Sequence, residues 1–158
     1  MRKLLLLSAI LCYTMMANAI EVNNNASEMI TKKGGDFHVD GIAYEVLTEN
    51  TVRVVANEFD YYSGSIIIPE EVTYMDYETM QNRTYTVTEI GAAAFSPRGL
   101  TSITSITLPN TIETIGDEAF YGCSITSVTI PSSVTTIGQD AFYQCEGLTS
   151  VTLNSDAI

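Results

Sequence analysis

One histidine and three cysteines carry most of the side-chain chemistry that this 158-residue chain could perform. His38 stands between Phe37 and Val39 in a β-like alternation, and any Ser-His-Asp or Cys-His arrangement would have to use it. No catalytic constellation assembles around it, so no catalytic residue is expected. A metal centre needs clustered ligands at fixed spacing, which one histidine and two repeat-bound cysteines do not supply. Calcium would require oxygen ligands grouped in one loop. The stretch "NEFDYYSG" (57–64) is the nearest approach, while Asp60, Glu70, Glu71, Asp76, Glu78, Asp117 and Glu118 are scattered and read as a solvated acidic surface. No cofactor and no metal are expected.

Cys123 and Cys145 are the informative pair, because each ends the same phrase: I-x-x-I-G-x-x-A-F-Y-x-C, with Val134 in place of the first isoleucine in the second copy. Three units align. The first runs from Val87 through Ile90-Gly91 and Ala94-Phe95 to Ile103–Pro109. The second runs from Ile112 through Ile115-Gly116, Ala119-Phe120 and Cys123 to Ile125–Pro131. The third runs from Val134 through Ile137-Gly138, Ala141-Phe142 and Cys145 to Leu148–Asn154. A fainter copy, "SIIIPEEVTY" from Ser65, precedes them and is separated by an insertion. The phenylalanines Phe95, Phe120 and Phe142 fall 25 and 22 residues apart, within the period of roughly 20–29 residues of leucine-rich repeats.

Physical logic explains the repetition. Each unit is expected to contribute one short strand, such as Ser127–Ile130, with Val128 and Ile130 inward and Ser127 and Thr129 outward. One strand cannot bury its own apolar face, whereas stacked units merge their aliphatic rows into a core. Gly91, Gly116 and Gly138 mark a turn needing positive φ or close backbone approach, and the phenylalanines should stack as an internal row. Adjacent rungs about 4.8 Å apart could bring the two cysteines within disulfide reach. In-register parallel side chains seldom offer the required dihedral, so free thiols in a buried row are expected.

These phrases resemble the BspA-like branch of the leucine-rich repeats, whose pattern is V-x-x-I-G-x-x-A-F-x-x-C-x-x-L-x-x-V-x-I-P-x-S. The likeness covers Val87 to Leu153, with Ser65 to Thr73 as a degenerate copy. It departs from the pattern at Arg98, in place of cysteine, and at Asn154, in place of proline. The resemblance implies a right-handed leucine-rich repeat solenoid, mostly β with short helical or irregular convex segments. "FHVDGIAYEVL", "TVRVVANEF" and "GSIIIPEEV" are β-like and resemble the small N-terminal module that leads into such arrays, where they could cap the first rung. "TYMDYETMQNRTYTV" reads as a hairpin with a polar tip.

On the outward strand face, Ser105, Thr107, Ser127, Thr129, Ser150 and Thr152 should form parallel hydroxyl ladders, a candidate binding surface or an inert soluble face. Tyr121 and Tyr143 follow the buried phenylalanines and are expected at the surface as further candidates. Tyr61, Tyr62, Tyr74, Tyr77 and Tyr85 crowd the front module, where they suit either recognition or plain β-sheet.

The chain opens as an exported protein. Met1-Arg2-Lys3 is a basic n-region, "LLLLSAIL" an apolar core too short to span a bilayer, and Ala17-Asn18-Ala19 a cleavage site. Leu11 before Cys12 argues against a lipobox. The expected division is a signal peptide over 1–19, a flexible leader over 20–35, a β-rich module over 36–86 containing the degenerate rung 65–74, and three repeats over 87–158. Asn25 and Asn82 lie in N-x-S/T sequons. Seven basic residues face nineteen acidic ones, a formal charge of −12. That excess disfavours nucleic acid and anionic lipid as partners, and no membrane insertion is expected once the signal is removed. The resemblance implies an exported, non-enzymatic adhesion or interaction module whose partners are proteins or glycans of host extracellular matrix or of other cells. The alternative is a structural spacer in a larger envelope assembly. The array stops just after a strand, so either the chain is a fragment, or Asn154 to Ile158 form a minimal cap, or a partner docks at the uncapped C-terminal end.

Overall fold

The computed structural model describes residues 37–57, 62–76, 80–96 and 103–154. The expected signal peptide and leader, Cys12, Asn25, Tyr61, Tyr77, Arg98, residues 155–158, half of "NEFDYYSG" and part of the expected 73–87 hairpin lie outside them. All the described residues belong to one compact unit, Gly34–Ile158.

Eleven strands and no helix are found among the described residues. The first two, β1 (Phe37–Val39) and β2 (Ile42–Val46), are joined by Asp40-Gly41. Both turn residues have positive φ, 50° and 80°, which suits a two-residue hairpin to the strand twist. β2 pairs antiparallel with β3 (Thr51–Val55), and the cross-strand pair Glu45–Arg53 carries an ion pair at 2.7 Å. β4 (Gly64–Ile67) leaves this sheet, and β5 (Glu71–Asp76) returns to it.

The long strand β6 (Gln81–Ile90) joins two regimes. Its first part pairs antiparallel with β5; its second part pairs parallel with β3 on one side and β8 (Thr114–Ile115) on the other. β8 then pairs parallel with β10 (Thr136–Ile137). The hairpins of the front module thus run without a break into a parallel ladder of repeat strands, in the order β1-β2-β3-β6-β8-β10. The one-strand-per-repeat expectation needs correcting here. The I-G phrase forms a second, two-residue strand, too short to show alternation in the sequence.

The other strands are β7 (Ile103–Thr107), β9 (Ser127–Ile130) and β11 (Ser150–Leu153). β9 and β11 pair parallel with like residues opposite: Ser127 with Ser150, Val128 with Val151, Thr129 with Thr152 and Ile130 with Leu153. β4 and β7 pair in the same sense, Ser65 against Ser105 and Ile67 against Thr107.

Turns between the ladders are irregular within a rung but stitched between rungs. Gly91, Gly116 and Gly138 N–H groups donate to Val54, Ile90 and Ile115 carbonyls, each at 2.8 Å, and Phe95 and Phe120 N–H groups donate to Ala119 and Ala141 at 2.8 Å. The phenylalanine rings stack, Phe95 on Phe120 at 5.3 Å and Phe120 on Phe142 at 5.1 Å. One continuous core runs from Phe37 to Ala141, with Phe142, Cys145 and Leu148 half-buried at its far edge.

The recurrent glycines serve close approach. A Cβ on Gly116 would stand 2.6 Å from Ala92 N and 2.8 Å from Gly91 C, and one on Gly138 would collide with Asp117 N. Positive φ falls two residues later, at Ala93 (51°), Glu118 (54°) and Asp140 (55°). None of these is glycine, so nothing in the residue pattern marks the left-handed position.

Candidate functional site

The outward side chains of the strand ladder are where the alternation puts them. In β9, Ser127 and Thr129 are exposed while Val128 and Ile130 are buried. Ser105 and Thr107 are exposed on β7, as are Ser150 and Thr152 on β11. Hydroxyls on adjacent parallel strands come close enough to bond: Ser105 Oγ donates to Ser65 Oγ at 2.7 Å. The ladder is interrupted, however. β4 pairs with β7 and β9 with β11, but among the described residues no strand pairing joins β7 to β9. β7 and β9 nevertheless lie next to each other, so the hydroxyl-bearing strands adjoin without ladder bonds at that step. At the front edge of this surface Ile67 occupies the position opposite Thr107 and is 69% exposed.

Tyr121 and Tyr143 lie in the turn segments 117–122 and 139–144, away from the strands that carry the hydroxyls. Their rings are 5.7 Å apart and tilted by 44°. Tyr121 is half-buried and Tyr143 exposed.

Front-module tyrosines are largely core. Phe37 stacks against Tyr44, Tyr74 and Tyr85 at 5.6, 4.6 and 5.7 Å. Tyr62 closes the internal row against Phe95 at 4.8 Å. Its hydroxyl accepts from Ala43 N–H and donates to the Val55 carbonyl, both at 2.9 Å. Burial pushes the Tyr62 phenol up to about 12 and raises that of Tyr44 further, helped by neighbouring Tyr62 and Asp40. Of the two readings open for these tyrosines, recognition or plain β-sheet, Tyr62 and Tyr85 take buried packing.

Cys123 and Cys145 are free thiols. Cys123 Sγ donates to the Phe95 carbonyl at 3.2 Å and Cys145 Sγ to the Phe120 carbonyl at 3.1 Å. Burial pushes the Cys123 thiol up to about 12, with a smaller contribution from Cys145. Burial also raises the Cys145 thiol. Neither is a poised nucleophile, since reactivity belongs to the thiolate. His38 is exposed on β1 opposite Ala43. Among the described residues no three His, Cys, Asp or Glu side chains converge as a metal site. No helix among them is long and apolar enough to cross a membrane.

Two ladders of parallel repeat strands, stacked phenylalanines and a recurring I-G-x-x-A-F phrase define a leucine-rich repeat protein. Residues 79–158 match the BspA type leucine rich repeat region in six copies, and the chain belongs to that family. Among solved structures, a leucine-rich repeat protein from Bacteroides capillosus aligns with a TM-score of 0.51 at 23% identity, covering 75% of this chain and 98% of that one. A leucine-rich repeat protein from Bacteroides ovatus is 28% identical with a TM-score of 0.37, covering 74% of this chain and 41% of that one. A leucine-rich cell surface protein from Faecalibacterium prausnitzii is 15% identical with a TM-score of 0.33, covering 77% of this chain and 55% of that one. The chain thus spans little more than half of the F. prausnitzii protein and nearly all of the B. capillosus one. No curated protein sequence gives a significant match.

Proposed function

We propose that this chain is an exported, non-enzymatic interaction module of the cell surface or extracellular space. In this reading it is a right-handed solenoid, with a signal peptide over 1–19, a leader over 20–35, a β-rich capping module over 36–86 and repeats over 87–158. It binds proteins or glycans of host extracellular matrix or of other cells through its strand face. The in-register exposure of Ser127, Thr129, Ser150 and Thr152 on paired parallel strands carries the proposal. Such a face offers donors and acceptors at a fixed repeat on a rigid backing, which lowers the ordering cost of binding. Extended strand faces are also the surfaces that solenoids use for partners. The test is binding of the purified chain to a panel of matrix proteins, glycans and whole cells. Saturable binding to at least one of them is expected. A well-folded chain that binds none of them would sink the adhesin reading.

A second reading, docking into a larger assembly, is favoured by one observation. Ile137, Val151 and Leu153 are 48%, 54% and 71% exposed, whereas Ile115, Val128 and Ile130 at the same positions one rung earlier are buried. Among the described residues β10 and β11 each pair on one side only, so apolar side chains and an unpaired strand side coincide, a combination that invites pairing with further β-structure.

A further inference from the structure

The cavity between the β1–β2 turn and β4 belongs to neither surface, and its chemistry is different. It measures about 230 Å³ and is lined by Val39, Asp40, Gly41, Ile42, Tyr44, Tyr62, Ser65, Ile66, Ile67 and Pro69. That is below the roughly 300–1,000 Å³ of small-molecule sites, and it suits one long side chain. We propose that this cavity receives an arginine side chain of a partner protein, its guanidinium on the Asp40 carboxylate and its methylene stem along Ile66, Ile67 and Pro69. This inference stands apart from the binding role of the hydroxyl ladder.

Three observations carry it. The first is charge. Asp40 is the one ionised group among the described lining residues, and no basic residue lies among them to neutralise it. The chain holds nineteen acidic residues against seven basic ones, and none of the basic ones follows Arg98. Arg53 and Arg83, the described basic residues of the sheet, are already engaged with Glu45 at 2.7 Å and with Asp76 at 3.2 Å.

The second is the rim. Ile67 takes the outward position that Thr107, Thr129 and Thr152 occupy on other strands, and it remains 69% exposed. An apolar residue on an otherwise hydroxyl-bearing face gives a side-chain stem something to cover. Arginine and lysine both combine an apolar stem with a charged head.

The third is rigidity. Asp40 sits in a two-residue turn with φ 50° followed by Gly41 at 80°, and Asn57 Nδ2 donates to the Gly41 carbonyl at 3.3 Å. Behind it, Tyr62 is fixed by bonds to Ala43 N–H and Val55 O. The carboxylate is therefore held on a backbone that does not need to reorganise on binding. Arginine is favoured over lysine because guanidinium is the more weakly hydrated cation and meets a carboxylate with two parallel N–H groups.

The experiment is an NMR titration of the isotope-labelled chain with three capped tripeptides, Gly-Arg-Gly, Gly-Lys-Gly and Gly-citrulline-Gly. The arginine peptide should shift the amides of Asp40, Gly41, Ile66 and Ile67 saturably, with lysine weaker and neutral citrulline without effect. Asp40→Asn should weaken the arginine peptide by about tenfold while leaving the spectrum otherwise dispersed. Glu113→Gln, at an exposed carboxylate of a later rung, should leave it unchanged, which separates this site from the general acidic surface. Equal response to citrulline, lysine binding as tightly as arginine, shifts spread over Glu113, Asp117 and Asp140, or no effect of Asp40→Asn would each overturn the assignment.

Discussion

Cys123 Sγ lies 3.2 Å from the carbonyl oxygen of Phe95, and one rung later Cys145 Sγ lies 3.1 Å from that of Phe120. Each thiol thus points back to the preceding rung, not towards the other thiol. The Phe120 carbonyl already accepts from Cys123 N–H at 3.1 Å within its own rung, so the Cys145 thiol adds a second, weak bond that ties the two rungs together. This gives cysteine a reason to recur at that slot beyond apolar volume.

Alkylation should report this arrangement. Cys123 is fully buried and Cys145 only half-buried, and burial raises both thiols. Peptide-resolved mass spectrometry after iodoacetamide at pH 8 is expected to show slow labelling of Cys145, slower labelling of Cys123, and rapid labelling of both in urea. Cys123→Ala should cost about 1–3 kcal/mol from the lost bond and the small cavity, and Cys145→Ala less. Fast labelling of native Cys123 would contradict the packing.

Glycine and its neighbour two residues on should respond oppositely. Gly116→Ala places a Cβ 2.6 Å from Ala92 N, against backbone that cannot swing away, and is expected to destabilise by about 3 kcal/mol or more. Glu118 is exposed and holds φ at 54°. Glu118→Gly should stabilise by about 1 kcal/mol, because the left-handed region costs glycine nothing. Urea midpoints of the two variants measure both signs.

Alkali should weaken the fold ahead of any general effect on the chain. The Cys123 thiol is pushed from 9.0 to about 12, and the Tyr62 phenol from 10.0 to about 12. Tyr44 moves in the same direction. The unfolded chain therefore releases these protons at lower pH than the folded chain, and stability falls as pH rises. The contribution is complete below about pH 9 and should be lost progressively between pH 9 and 12. Denaturation midpoints across that window should decline, and Cys123→Ala should flatten the lower part of the slope. A constant midpoint from pH 9 to 11 would contradict the buried neutral groups.

The outer rung should drive association. Leu153→Lys places a charge on an exposed apolar position of the edge strand β11. It is expected to leave the melting temperature within about 1 °C, as surface changes do, and to abolish any concentration-dependent self-association seen by sedimentation. Association that survives in the variant would locate the contact elsewhere.

The parallel β9–β11 ladder was legible from the sequence because Ser127-Val-Thr-Ile130 and Ser150-Val-Thr-Leu153 alternate with a period of two. The phenylalanine row was legible because its spacing is set by the rung. The second ladder was not, since Thr114-Ile115 and Thr136-Ile137 are two-residue strands and Glu89-Ile90 is only the end of β6, each followed by a glycine bonded to the rung before. Nor was the burial of Tyr62, which depends on contacts with Ala43, Val55 and Phe95 that local composition does not encode. On the candidate face, alternation placed all six Ser and Thr side chains outward. The missing strand pairing between β7 and β9 leaves no mark in the residue pattern.

The most direct test of the central claim is the affinity of the triple variant Thr107→Glu, Thr129→Glu, Thr152→Glu for a partner that the wild-type chain binds saturably. Circular dichroism and melting would first establish that the variant is folded. The account predicts an affinity loss of at least about tenfold, since three carboxylates replace hydroxyls in the contact. A folded variant that binds as tightly as the wild type would contradict the claim that this face is the binding surface.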